Sequence, residues 1–219
     1  MPFSEELQDR IIDYVYGHLP SEKWYDENFY IFIKNNSLRQ RLIVEYKNSR
    51  VIYKIFEGLQ AKDELLLAQI KTQVIMYVSI QEAVINYVLF DLFEAKRPVQ
   101  DLLFQDRNTL IMIPNSQKEK LKKELIHDGK EIFTFFKEKK PVDKTKIRYD
   151  NKVEACYKLN LIDTQLKDDL IKLYKYRNTV HIESELKQNL NYNLEMGNLA
   201  YRRVEGLSMQ LTESLKNLI

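Results

Sequence analysis

Cysteine, glycine, proline and histidine are all scarce in this chain, and each shortage excludes something. A single cysteine, Cys156, among 219 residues rules out a disulfide within the chain and fits a reducing compartment. Cys156 lies at helical spacing with Val153, in the pattern of a small core residue rather than a nucleophile. Three scattered histidines and one cysteine give no zinc ligand set. Five glycines and five prolines leave few tight turns, so long helices are expected ahead of a many-stranded sheet. There is no P-loop, no dinucleotide-binding glycine fingerprint and no Gly-x-Ser-x-Gly elbow. Nothing in the sequence asks for a cofactor. Met1 to Glu6 lacks the basic-then-apolar layout of a signal peptide. The longest apolar run, Val74 to Phe93, is broken by Gln81, Glu82, Asn86 and Asp91, which predicts a buried helix rather than a membrane span. The expected setting is cytoplasmic, with no membrane partner.

What is present suits a folded helical protein. The chain is 44% hydrophobic and 30% charged, and 34 basic against 32 acidic residues leave +2. That balance does not announce a nucleic-acid binder. A first helix is expected from an N-cap at Ser4, with Leu7, Ile11, Tyr14, Val15 and His18 along one stripe and Pro20 after it. Asn28 to Ile33 alternates in bulk and reads as a short strand. Ser37 is expected to cap a second helix that carries Leu42, Tyr46, Ser49, Tyr53 and Phe56 and stops at Gly58. Asp63 to about Glu94 is the longest helical candidate, apolar nearly all round, as the middle of a bundle would be. Within it Glu82 has two readings, a wet helix edge or a carboxylate paired with a cation.

The middle of the chain is less regular. Arg97 to Pro114 lacks pattern, while Ser116 and Glu119 form a capping box for a short helix to about His127. Lys130 to Pro141 reads as a hairpin or a loop. Gln117 to Arg148 carries eleven basic and six acidic residues, with Phe133, Phe135 and Phe136 among the lysines. That mixture is used by single-stranded RNA binders, although a lysine run is also an ordinary solvated face. A helix is expected from Ile147 to Leu159, stopped by Asn160, and the next is capped by Asp163. Leu190, Leu194, Gly197, Tyr201, Val204, Ser208, Leu211, Leu215 and Leu218 then repeat in steps of four and three, a heptad-like seam.

Chemistry concentrates in Arg177-Asn178-Thr179-Val180-His181. Arg grips phosphate in two-pronged fashion, and His exchanges a proton near neutral pH. Four residues apart on a helix, the two would share a face. The same pair could instead sit against the carbonyls of a helix end, where cations are favoured. Asp168-Asp169 is the other acidic doublet, but helical neighbours point about 100° apart, which suits a shared site poorly.

Leu161-Ile162-Asp163, Leu170, Leu173, Tyr174 and the Arg177 to His181 stretch resemble the closing motif of the HEPN superfamily, all-helical domains of which many cut or bind RNA in toxin–antitoxin and phage-defence systems. Ser79-Ile80-Gln81-Glu82-Ala83 resembles the opening core helix of that family. The likeness covers Asp63 to Ile219. It implies an all-α bundle at 63–219, with 1–62 as an N-terminal helical extension packed on it and an irregular middle insertion. The family places four to six residues between Arg and His; here three intervene, and a reading from Lys175 restores the longer gap. By resemblance, Arg177, Asn178 and His181 would be catalytic, with Tyr174, Lys175 and Glu82 beside the substrate. The implied activity is metal-independent endoribonuclease action that leaves a 2′,3′-cyclic phosphate. The implied partners are RNA, a second copy of the chain in a homodimer and an antitoxin protein. Two alternatives stay open: an inactive module of this type that binds RNA or a partner protein, and a helical dimerisation protein without a nucleic-acid role.

Overall fold

A computed structural model describes residues 2–125 and 128–216. The described chain is mostly helical, as expected, but not all-α. Its helices are α1 (Glu5–Gly17), α2 (Glu22–Asn28), α3 (Asn36–Gly58), α4 (Asp63–Tyr87), α5 (Arg97–Leu103), α6 (Asn115–Glu124), α7 (Tyr149–Lys158), α8 (Thr164–Asn178), α9 (Ile182–Gln188) and α10 (Leu194–Leu215). Two strands, β1 (Phe104–Leu110) and β2 (Phe135–Pro141), pair antiparallel. The chain divides into two compact units, one from residues up to Glu94 and from Tyr149 onward, the other from Ala95–Arg148.

The helical unit is organised around α4. It packs against α3, α7, α8 and α10, and α1 lies on α3. Val74, Tyr77, Val78, Val84 and Ile85 are sealed on different sides of α4, which is why its apolar residues wrap the circumference. A π-helical segment, Val88–Leu92, continues it. By length and composition Asp63–Leu92 could cross a membrane, yet 67% of its apolar window is buried inside the protein, as in a core helix. Along α10, Gly197, Ala200, Val204, Leu207, Ser208, Leu211 and Leu215 form the buried seam, directed at α4 and α8. Leu194, expected in that seam, is largely exposed. Leu218 and the expected helix end at His127 lie outside the described residues.

Local signals placed several boundaries correctly. Asp163 caps α8, its carboxylate accepting from the Leu166 N–H at 2.7 Å. Asn160 adopts the left-handed φ of 56° after α7. Gly58 ends α3 where the Tyr14 ring closes in; a Cβ there would meet Tyr14 Cε1 at 3.0 Å.

Other expectations are corrected. Asn28 to Ile33 is the end of α2 followed by a turn, not a strand: Tyr30 has a φ of 48°, and Phe29, Tyr30, Phe32 and Ile33 are all buried. The turn is held from α10, because the Tyr30 N–H donates to Ser208 Oγ and its hydroxyl to the Val204 carbonyl. Asn35, not Ser37, caps α3 through the Leu38 N–H. Ser116 lies inside α6, which starts after Pro114 without a side-chain cap.

In the second unit, α5 leads into β1, and the Val142 N–H donates to the Leu103 carbonyl at 2.7 Å. The hairpin register puts Asp106 opposite Lys139 and Arg107 opposite Glu138, while Glu138 itself pairs with Lys140 on its own strand and accepts from the Thr109 hydroxyl across the ladder. Phe133, Phe135 and Phe136 all remain exposed.

Candidate functional site

The site grows from the facing surfaces of α4, α7 and α8. Glu82 is half-buried on α4. Asn86 follows one turn later on the same face and accepts from Lys152 Nζ of α7 at 2.9 Å. Lys152 is only 7% exposed and its ammonium lies over the Phe90 ring. Arg177, in the last turn of α8, is half-buried and donates to Asn178 Oδ1 at 3.2 Å. The charges of Arg177 and Lys152 both act on Glu82. One carboxylate and two cations therefore share a partly desolvated corner.

Burial raises the Glu82 pKa above the ordinary carboxylate value, and Arg177 and then Lys152 oppose that shift. Burial likewise lowers the Lys152 ammonium pKa, with Glu82 pulling it back. Tyr149 stands next to this group. Its ring lies 4.9 Å from that of Tyr174, its hydroxyl is sealed without a hydrogen-bond partner among the described residues, and burial followed by the Glu82 charge raises its pKa.

Arg177 and His181 do not share a helix face. α8 ends at Asn178, and Thr179 turns the chain. The Thr179 hydroxyl donates to the Tyr176 carbonyl at 2.7 Å and meets Tyr192 Oη at 2.9 Å. A β-branched residue whose hydroxyl bonds back to the chain favours such a stop. His181 follows as the exposed N-cap position of α9. The His181 carbonyl accepts from the Ser184 and Glu185 N–H groups in the first turn of α9. An ion pair, Lys71 to Glu185 at 2.7 Å, ties α9 to α4. His181 thus projects from an anchored turn, beyond the helix that carries Arg177.

The remaining expected residues divide clearly. Tyr174 joins the cluster through Tyr149, whereas Lys175 is exposed. Asp168 is exposed and lies near Lys167. Its neighbour Asp169 is buried and binds Arg203 of α10 through one oxygen, at 2.7 Å from Nε and 2.6 Å from the terminal nitrogen. The acidic doublet therefore splits between solvent and a helix–helix tie. Cys156 is fully buried, and burial pushes its thiol pKa far up, away from reactivity. His18 is exposed and lies against the Tyr14 ring. Among the described residues no three His, Cys, Asp or Glu side chains gather into a metal-binding group.

Lys152 was the functional candidate that sequence reasoning missed. Its signal was present, since a lysine four residues before buried Cys156 must lie on the apolar face of α7. Thr179, Tyr192 and the Lys71–Glu185 tie had no such signal, because their pairing joins distant segments.

The chain matches no protein-family model, no curated protein and no solved structure.

Proposed function

We propose that the helical unit is a HEPN-type domain that cuts RNA, without a metal, at the junction of α8 and α9. The reading rests on one observation above all: Arg177, Asn178, Glu82 and Lys152 gather at the end of α8, immediately before the turn that carries His181. Arg177 grips the scissile phosphate and offsets the charge that builds on it. Asn178 holds the guanidinium in place, Glu82 attracts it through charge, and Lys152 adds a second positive charge. His181 takes the proton from the ribose 2′-hydroxyl as that oxygen bonds to phosphorus. The P–O5′ bond breaks, and the departing 5′-oxygen takes a proton from solvent water. The products are a 2′,3′-cyclic phosphate and a free 5′-hydroxyl. DNA, lacking the 2′-hydroxyl, resists. A second copy of the chain would bring two such junctions to one cleft, as the resemblance implies, and an antitoxin protein would mask it.

The test is cleavage of end-labelled RNA by purified protein in EDTA. Loss of a general acid–base typically costs about 10²–10⁴-fold. His181→Ala and Arg177→Ala should each lower the rate by at least about 10²-fold and leave the thermal midpoint little changed. Equal cleavage by wild type and both variants, or none by wild type, removes the nuclease reading.

A second reading is supported by the hairpin unit, where exposed Phe133, Phe135 and Phe136 stand among Lys137, Lys139 and Lys140. Exposed rings and cations suit RNA binding without cleavage. Under that reading RNA binds wild type and His181→Ala equally and remains intact.

A further inference from the structure

A second arginine stands in a different environment. Arg50 of α3 is half-buried, with its guanidinium 4.5 Å from the Tyr201 ring centroid and 5.3 Å from that of Tyr53. Stacking of this kind leaves the edge donors of the fork free. No carboxylate pairs with Arg50 among the described residues. Glu205, the acid on the adjoining part of α10, accepts instead from the hydroxyls of Tyr46 and Tyr201, both at 2.8 Å.

Arg50 opens onto a cavity of about 310 Å³ between α3, α4 and α10. At ~30 Å³ per water, that is room for about ten waters, more than a bare anion requires. The charged side chains lining it are Arg50, Lys54, Arg202 and Glu57; Arg202 is paired with Glu195 and Lys54 with Glu57, which leaves Arg50 as the cation without a carboxylate among these described residues. Glu57 is already bound to Lys54 and receives the Tyr14 hydroxyl. Tyr77 also lines the cavity. Its ring is wholly buried, and its hydroxyl oxygen lies beside the Arg50 guanidinium, while its O–H donates to no acceptor among the described residues. A buried donor left without an acceptor is costly, and an acceptor bound next to Arg50 would satisfy it.

We propose that this cavity binds a small organic oxyanion with a planar body: the oxyanion meets the Arg50 fork and the Tyr77 hydroxyl, and the planar part lies along Tyr53 and Tyr201. A phosphate monoester and a carboxylate present the same chemistry to the fork. The site stands apart from the Arg177 cluster and does not depend on RNA cleavage.

Calorimetric titration of the full chain tests this, with AMP and benzoate as charged probes and adenosine and benzamide as their uncharged counterparts. AMP, benzoate or both should bind one to one, and the uncharged counterparts should not. AMP alone identifies a phosphate site, and benzoate alone a carboxylate site. Arg50→Met should weaken binding at least tenfold. Tyr77→Phe, which removes only the hydroxyl, should weaken it severalfold and provides the test if Arg50→Met does not fold. Arg177→Ala should leave binding unchanged. The proposal is overturned if neither charged probe binds at millimolar concentration. It is also overturned if binding survives Arg50→Met and Tyr77→Phe intact, or if it disappears in Arg177→Ala.

Discussion

The helical unit and the hairpin of the Ala95–Arg148 unit use their large apolar residues in opposite ways. In the first, Val84, Leu170, Leu173 and Leu207 are fully sealed. In the second, Phe133, Phe135 and Phe136 are 59%, 50% and 47% exposed, on or beside a strand whose neighbours are lysines. One unit is held by apolar burial. The hairpin is held by its backbone ladder and by the Thr109 hydroxyl donating across it to Glu138. The contrast teaches that aromatic content alone does not reveal a core; spacing does. Leu166, Leu170 and Leu173 recur at helical period and are buried, while Phe135 and Phe136 are adjacent and, on a strand, point to opposite faces.

Chemical denaturation breaks or sharpens this contrast most strongly. Leu170→Ala should cost about 2–5 kcal/mol, because it opens a void in a sealed site. Phe136→Ala should change stability by no more than about 0.5 kcal/mol, the range of surface substitutions. Equal losses from the two would mean that the hairpin aromatics bear as much of the fold as the core leucines.

A smaller effect concerns charge within the helical unit. Because burial raises the folded-state pKa of Glu82, its contribution to stability is fully present below the ordinary carboxylate value and is lost as pH rises through the raised one. Wild type should therefore lose stability relative to Glu82→Gln as pH climbs through that window. Carbon-detected NMR titration should place the Glu82 midpoint above its ordinary value, and Arg177→Met should move it higher still. A midpoint unaffected by Arg177→Met would dissolve the link between these two groups.

Much of the helical framework was legible because its signals are local. A cap such as Asp163, a left-handed stop such as Asn160 and the repeat along α10 each depend on a few neighbouring residues. The failures have tertiary causes. The bulky alternation from Asn28 to Ile33 imitates a strand, but Ser208 and Val204 of α10 hold Tyr30 in a turn. Asn35 displaced Ser37 as the cap by reaching the Leu38 N–H. Lys130 to Pro141 reads as a hairpin or a loop, but its partner strand, Phe104–Leu110, lies in a stretch that reads as irregular, because both strands are charged and lack clean apolar alternation. The heptad-like seam of α10 does pack on neighbouring helices, α4 and α8 of the same chain. At the candidate site, Glu82 was recognisable as a carboxylate out of place in an apolar helix. The separation of His181 from α8 was not recognisable, since it depends on the bond between Thr179 and Tyr192.

The claim that RNA is engaged at the α8–α9 junction is tested most directly by NMR mapping with an oligonucleotide that cannot be cleaved because every 2′-hydroxyl is methylated. Amide shifts should be largest at Arg177, Asn178 and His181, with Glu82 and Lys152 next. Shifts confined to Phe135–Pro141, or no shifts at all, would contradict it.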